Sequence, residues 1–94
     1  MKFQWNKTKA ALNLSKHGIS FEEAGTVFDD PLSDVVCDPD HSIGEHRWII
    51  IGTSDQGRLL VAAFTERGDA TRIISAREAT RREARDYATY IRDY

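Results

Sequence analysis

The sequence predicts an α+β fold: two N-terminal helices, a small antiparallel sheet laid out as a meander, and a C-terminal helix. Three observations lead to it. Two helix-start signals, at Asn6 and at Ser20-Phe21-Glu22-Glu23, fall in the first quarter of the chain. Four apolar or β-branched runs separated by turn residues fill the middle, and an apolar stripe at helical spacing closes the sequence.

Lys2 to Trp5 is short and aromatic and reads as an edge strand. Asn6 follows as the N-cap of a helix that carries Ala10, Ala11 and Leu14 and ends at Gly18. Ser20 and Glu23 stand at capping-box spacing, the serine oxygen accepting from the N3 amide and Glu23 reaching back. The second helix they start should run to about Phe28, where Asp29-Asp30-Pro31 stops it. Strands are then expected at Asp34 to Cys37, Arg47 to Ser54, Arg58 to Thr65 and Ala70 to Ile74, broken by Pro39, by Asp55-Gln56-Gly57 and by Gly68-Asp69. The third run is apolar on both faces, Leu60, Ala62 and Phe64 against Leu59, Val61 and Ala63, so it should be a central strand covered on both sides. A second capping-box spacing, Ser75 to Glu78, opens a helix with Ala84, Tyr87, Ala88, Ile91 and Tyr94 on one stripe, which puts Arg77 in its first turn. Repeats and linkers are absent, and residues 1–94 read as a single domain.

The single cysteine, Cys37, has no internal disulfide partner and no zinc-ligand spacing around it, which fits a reducing compartment. The first residues lack the apolar core of a signal peptide, and the longest apolar run, Leu59 to Phe64, is too short to span a bilayer. A soluble, cytoplasmic protein with no membrane contact is the expectation. Its net charge of −2 hides segregation: residues 1–21 hold four lysines and no acid, residues 22–45 eight acids and no Lys or Arg, and residues 46–94 nine arginines against seven acids.

The loop from Asp38 to His46 concentrates Asp, His and Glu, but its spacing matches no helical zinc motif, and Pro39 and Gly44 argue against a helix. A polar loop is the better reading, with no metal. His17 closes the first helix beside Lys16; it is either an ordinary helix-end residue or a proton donor or acceptor near the basic N-terminal segment. The run Arg81 to Asp86 reads mostly as solvated helix surface. Arg47, Arg67, Arg72 and Arg77 differ, because strand ends and strand-helix junctions let their side chains converge, and guanidinium groups bind phosphate bidentately. Each of the four could equally be a salt-bridge partner. An anion at a helix start capped by Ser75 would explain a cation at position 77.

The segments "NLSKHGISFEEAGTVF" (13–28), "DHSIGEHR" (40–47), "GR" (57–58), "TERG" (65–68) and "RIISAREATRREARDY" (72–87) together resemble the BrnT family of bacterial toxins over nearly the whole chain. His46 departs from that pattern, where an acidic residue is more usual. The resemblance implies a type II toxin-antitoxin system: a small endoribonuclease with a RelE-like fold that inhibits translation and is neutralised by a BrnA-type ribbon-helix-helix antitoxin. It further implies a toxin-antitoxin complex, with a heterotetramer as one assembly, that reaches operator DNA only through the antitoxin. RNA supplies its own nucleophile, the 2′-hydroxyl, so no metal or cofactor is needed. On this reading Arg67, Arg72 and Arg77 bind and stabilise the reacting phosphate, His17 and Glu45 are the acid-base candidates, and Tyr87 stacks on a base or assists proton transfer. Lys16, Arg47, Arg58 and Arg81 would hold the RNA phosphates. The competing reading is a non-enzymatic protein-interaction module in which the arginines only pair with acids.

Overall fold

The computed structural model describes residues 1–38 and 45–93. The chain runs β1 (Lys2–Gln4), α1 (Lys7–His17), α2 (Phe21–Thr26), a 3-10 turn (Val27–Asp29), β2 (Asp34–Cys37), β3 (Trp48–Thr53), β4 (Leu59–Arg67), β5 (Ala70–Glu78) and α3 (Arg81–Asp93). The five strands form one sheet in the order β1-β5-β4-β3-β2. From β2 to β5 the neighbours are antiparallel, as a meander requires, but β1 pairs parallel to β5, Phe3 against Thr71, so the sheet is mixed. The reason lies in the connection: after β1 the chain crosses the sheet through both helices and begins the meander at the opposite edge.

The caps form as their chemistry dictates. Asn6 Oδ1 accepts from the Lys9 amide, Gly18 ends α1 in the left-handed region at φ 71°, and Ser20 Oγ accepts from the Glu23 amide. Helix α2 is shorter than expected, and the 3-10 turn covers the stretch to Asp29.

One face of the sheet is packed. Ile19, Phe21, Ala24 and Val27 meet Ile50, Leu60, Ala62, Phe64, Ile73 and Ala76, and Phe28 bridges Phe3 and Phe64 with ring centroids 5.2 and 4.9 Å away. Gly52 is required where β3 passes under the 3-10 turn, because a Cβ there would stand 2.9 Å from both Val27 Cγ1 and Ser33 Cβ. The apolar residues of α1 are not what is buried: Ala11 and Leu14 are exposed and Ala10 is half-buried, while Asn13 is inside. Asn13 bonds backbone groups of β5 that no strand reaches, so a polar residue takes the inward position.

The other face of the sheet is partly open. Strand β4 is central as expected, with Leu60, Ala62 and Phe64 buried, yet Leu59, Val61 and Ala63 on its second face are only half-buried. Among the described residues no helix lies over that part of the sheet; α3 covers the ground near β2 and β3, where Tyr87 and Tyr90 approach Val36 and Ile51.

The C-terminal helix begins later than the sequence predicts. Strand β5 continues through Ser75 and Arg77 to Glu78, because Ala63, Val61 and Leu60 of β4 supply ladder partners for it. The working box is Thr80 with Glu83: Thr80 Oγ1 accepts from the Glu83 amide at 3.1 Å, and Glu83 Oε1 accepts from the Thr80 amide at 2.8 Å. On α3, Tyr87 is buried and Ala84, Tyr90 and Ile91 are half-buried, whereas Ala88 is exposed; Tyr94 lies outside the described residues.

Candidate functional site

The antiparallel register and the alternation of the pleat place Ile49, Val61, Ala63, Ser75 and Arg77 on the open face. A bulge at Ala63/Phe64 leaves Ile74 without a partner on β4; beyond it, Arg72 opposite Thr65, and Arg67 two residues further along β4, continue the same face. Three of the four junction arginines therefore lie on one surface, together with Arg47 if the alternation of β3 is extended one residue back.

Within that face is a cleft of about 370 Å³ lined by His17, Asp38, Ile49, Val61, Ala63, Ser75, Ala76 and Arg77. His17 arrives from the C-terminal end of α1, which abuts β5 through Asn13. Lys16 and His17 also border a second hollow of about 220 Å³ beside Ile74 and Leu12. The cleft floor is apolar, its rim carries an imidazole, a guanidinium, a hydroxyl and a carboxylate, and it is open to solvent.

Arg77 is held firmly. Its Nη1 and Nη2 donate to the two carboxylate oxygens of Glu83 at 2.7 and 2.9 Å, and Nη1 also donates to the Glu78 carbonyl at 3.2 Å. Pairing with Arg77, supported by the Thr80 amide, pulls the Glu83 carboxyl down to about 2, and Glu83 in turn raises the Arg77 guanidinium above its ordinary value. A guanidinium has five N–H groups, so among the described residues the Nε–H and one N–H of Nη2 are left for a ligand. Arg77 is thus a positioned cation of a strand rather than a free one in a helical turn.

The remaining predicted residues separate into two groups. Arg67 forms a two-bond pair with Glu45, at 3.0 and 3.2 Å and half-exposed, so one acid-base candidate and one phosphate candidate neutralise each other at the far end of the face. Arg72 donates to Gln4 at 3.4 Å. Arg47 is half-buried just before β3, and Lys16 and Arg81 are exposed at helix ends.

Two candidates belong to the frame. Arg58, expected to hold phosphate, donates through Nε to Glu23 at 2.9 Å and through Nη2 to the second Glu23 oxygen, and Ser54 Oγ donates to the same carboxylate at 2.7 Å. Glu23 is 4% exposed and, chiefly through Arg58, its carboxyl lies below the usual range, so Arg58 compensates a buried charge. Glu23 accordingly turns to Arg58 and Ser54 instead of completing the capping box. Tyr87, expected to stack or to move a proton, is buried with its hydroxyl donating to the Leu32 carbonyl at 2.9 Å and lying 3.3 Å from Asp30. Burial first, and then the Asp30 charge, push its phenol up to about 12, which suits a staple and not a proton shuttle.

Sequence reasoning took Ser75 as a helix cap beside an anion, where it is a strand residue lining the cleft, and missed Asp38 as a cleft residue and Glu83 as the residue that orients Arg77. The Thr80 to Glu83 spacing was the available signal for Glu83; nothing local marks Asp38. Among the described residues no three His, Cys, Asp or Glu side chains gather as a metal site, and no helix is long and apolar enough to cross a membrane. His41 lies outside the described residues.

Comparison with known proteins bears on the family and the fold. A family model described as the ribonuclease toxin, BrnT, of type II toxin-antitoxin systems matches residues 5–83. No curated protein matches the sequence. Among solved structures, the 1.1 Å crystal structure of the Brucella abortus ribonuclease toxin BrnT is similar, at 24% identity over 86% of this chain and 99% of that one, with a TM-score of 0.64. At that identity the likeness speaks for the fold.

Proposed function

Because the chain belongs to the BrnT family of ribonuclease toxins of type II toxin-antitoxin systems, we propose that it cleaves RNA in the cleft shared by His17, Ser75 and Arg77. The observation that carries this reading is that an imidazole from α1 and a positioned guanidinium from β5, distant in sequence, line one solvent-open cavity on the uncovered face of the sheet. His17 accepts the proton of a ribose 2′-hydroxyl, the 2′-oxygen attacks phosphorus, and the bond to the 5′-oxygen breaks, that oxygen taking a proton from water. Arg77 donates its remaining N–H groups to the phosphoryl oxygens as charge accumulates on them. Ser75 donates a hydrogen bond beside it. Arg72, and Arg67 when exchanged from Glu45, continue the cationic track for the flanking phosphates, with Lys16, Arg47 and Arg81 at its margins. No metal or cofactor enters any step.

In this reading the single domain of residues 1–94 has a RelE-like arrangement, acts in the cytoplasm and inhibits translation by cutting RNA. A BrnA-type ribbon-helix-helix antitoxin neutralises it, in a heterotetramer that contacts operator DNA through the antitoxin. The test is cleavage of a defined RNA by the purified chain in EDTA. Products ending in a 2′,3′-cyclic phosphate and a 5′-hydroxyl are expected, with losses of about 10²–10⁴-fold in His17→Ala and about 10²–10³-fold in Arg77→Ala. Full activity in both folded variants removes the cleft from the reaction.

A further inference from the structure

Three of the large hydrophobic side chains most exposed to solvent, Leu32, Val35 and Val36, fall within residues 32–36, at the β2 edge of the sheet. Val36 is 50% exposed and forms the outer wall of a groove of about 390 Å³ between α3 and the sheet. The floor of the groove is Ile51 and the rings of Tyr87 and Tyr90, and its rim carries Asp34 and Asp86. Glu83 also reaches the rim, but Arg77 already neutralises it. This groove is separate from the His17 cleft and takes no part in the cleavage derived above.

The charge around the groove selects what it can hold. Asp34 from β2 and Asp86 from α3 line it, and among the described residues no lysine or arginine does. Residues Glu83, Asp86, Tyr87 and Tyr90 stand at i, i+3, i+4 and i+7, so α3 turns an acidic and aromatic stripe to the groove while Arg81, Arg82 and Arg85 are exposed elsewhere on it. A second copy of the chain would bring the same acids against each other. An apolar segment flanked by lysine or arginine satisfies both floor and rim, the floor by burial and the rim by charge.

We propose that the groove between α3 and the β2 edge is the docking site for an amphipathic, basic segment of the antitoxin. The proposal rests on the antitoxin reading given above. It leaves the cleavage site open in the bound toxin unless other parts of the antitoxin cover it, so neutralisation and docking become separable properties of the complex.

The test measures calorimetric affinity between the purified chain and the purified product of the reading frame adjacent to its gene. Val36→Glu and the double variant Asp34→Lys/Asp86→Lys change two exposed side chains and the half-buried Asp34, and Leu12→Ser, on α1, is the control for an exposed apolar residue elsewhere. Wild-type binding weakened tenfold or more by both groove variants, with Leu12→Ser unaffected, a shallower salt dependence in the lysine double variant and RNA cleavage by the free variants retained, supports the site. Equal affinity of wild type and groove variants overturns the groove and leaves the antitoxin reading intact. No binding by the wild type removes the antitoxin reading and this proposal with it. Sedimentation of the chain alone as a dimer that Val36→Glu converts to a monomer assigns the groove to a second copy and overturns the proposal as well.

Discussion

The side-chain amide of Asn13 pairs with the backbone of Ala76 as a strand residue would, donating to its carbonyl at 2.8 Å and accepting from its N–H at 3.0 Å. Strand β1 reaches only to Arg72 along the β5 edge, so α1 finishes with one side chain what the short strand leaves unpaired. The same amide donates to the Ile19 carbonyl at 2.9 Å, tying the α1–α2 turn to the sheet. Asn13→Ala orphans a buried N–H and two carbonyls at about 1–3 kcal/mol each, less whatever water recovers. A loss of about 3 kcal/mol, seen as a melting temperature lowered by more than 10 °C, is expected for a domain of this size. A drop of a degree or two would show that water replaces the amide.

Arg58 and Glu23 give a second prediction, which separates frame from substrate contact. Removing Arg58 leaves a buried carboxylate with Ser54 alone as its side-chain donor, which is destabilising. Arg58→Ala should therefore melt early, while Glu23→Gln with Arg58→Met recovers much of the loss, since neither member then carries a charge. RNA cleavage per folded molecule stays near wild type in the double variant. A specific loss of cleavage there would restore Arg58 to the phosphate track.

What the sequence made legible was local. Asn6, Ser20 and Gly18 act within one helical turn of themselves, and each does what its chemistry predicts. The strand cores were equally readable, since apolar runs bounded by Gly and Pro leave few alternatives. Ser75 and Glu78 have the spacing of a capping box, but their ladder partners on β4, residues Ala63 and Leu60, hold them in a strand, and partner strands are invisible in a local window. For the same reason the parallel pairing of β1 with β5 and the burial of Asn13 could not be read, because both depend on an edge that exists only after the sheet assembles. His17 and Arg77 were found as individuals and share a cleft; that Glu23 engages Arg58 and Asp30 engages Tyr87 could not be read locally, because those partners lie far away in sequence.

Tyr87 anchors α3 to the turn before β2 through one hydroxyl. Tyr87→Phe keeps the ring in place and removes the bond to Leu32, at a cost of about 1 kcal/mol in stability. Cleavage of RNA should be unchanged in rate and in pH profile. A rate that falls by tenfold or more with an unaltered melting temperature would return the hydroxyl to the reaction.

Glu83 links the start of α3 to the cleft, and acid should uncouple them. Its carboxyl is held at about 2 in the folded protein, below its ordinary value of 4.5, chiefly by the Arg77 guanidinium. A lowered folded value means that the pair's contribution is complete above pH 4.5 and declines as the pH falls toward 2, where the carboxylate becomes protonated. Acid titration followed by circular dichroism should then show helical signal lost across that window, beginning with α3, whose first turn depends on Glu83 accepting from Thr80. Glu83→Gln keeps a capping oxygen but not the charge, so it should flatten this dependence while lowering stability at neutral pH. It should also lower the rate of RNA cleavage at saturating substrate, because Arg77 loses the carboxylate that aims it, whereas Glu83→Asp, too short to hold both the box and the guanidinium, should do no better. An acid transition that is the same in Glu83→Gln as in wild type would assign it to the other carboxylates and leave Arg77 positioned by the strand alone.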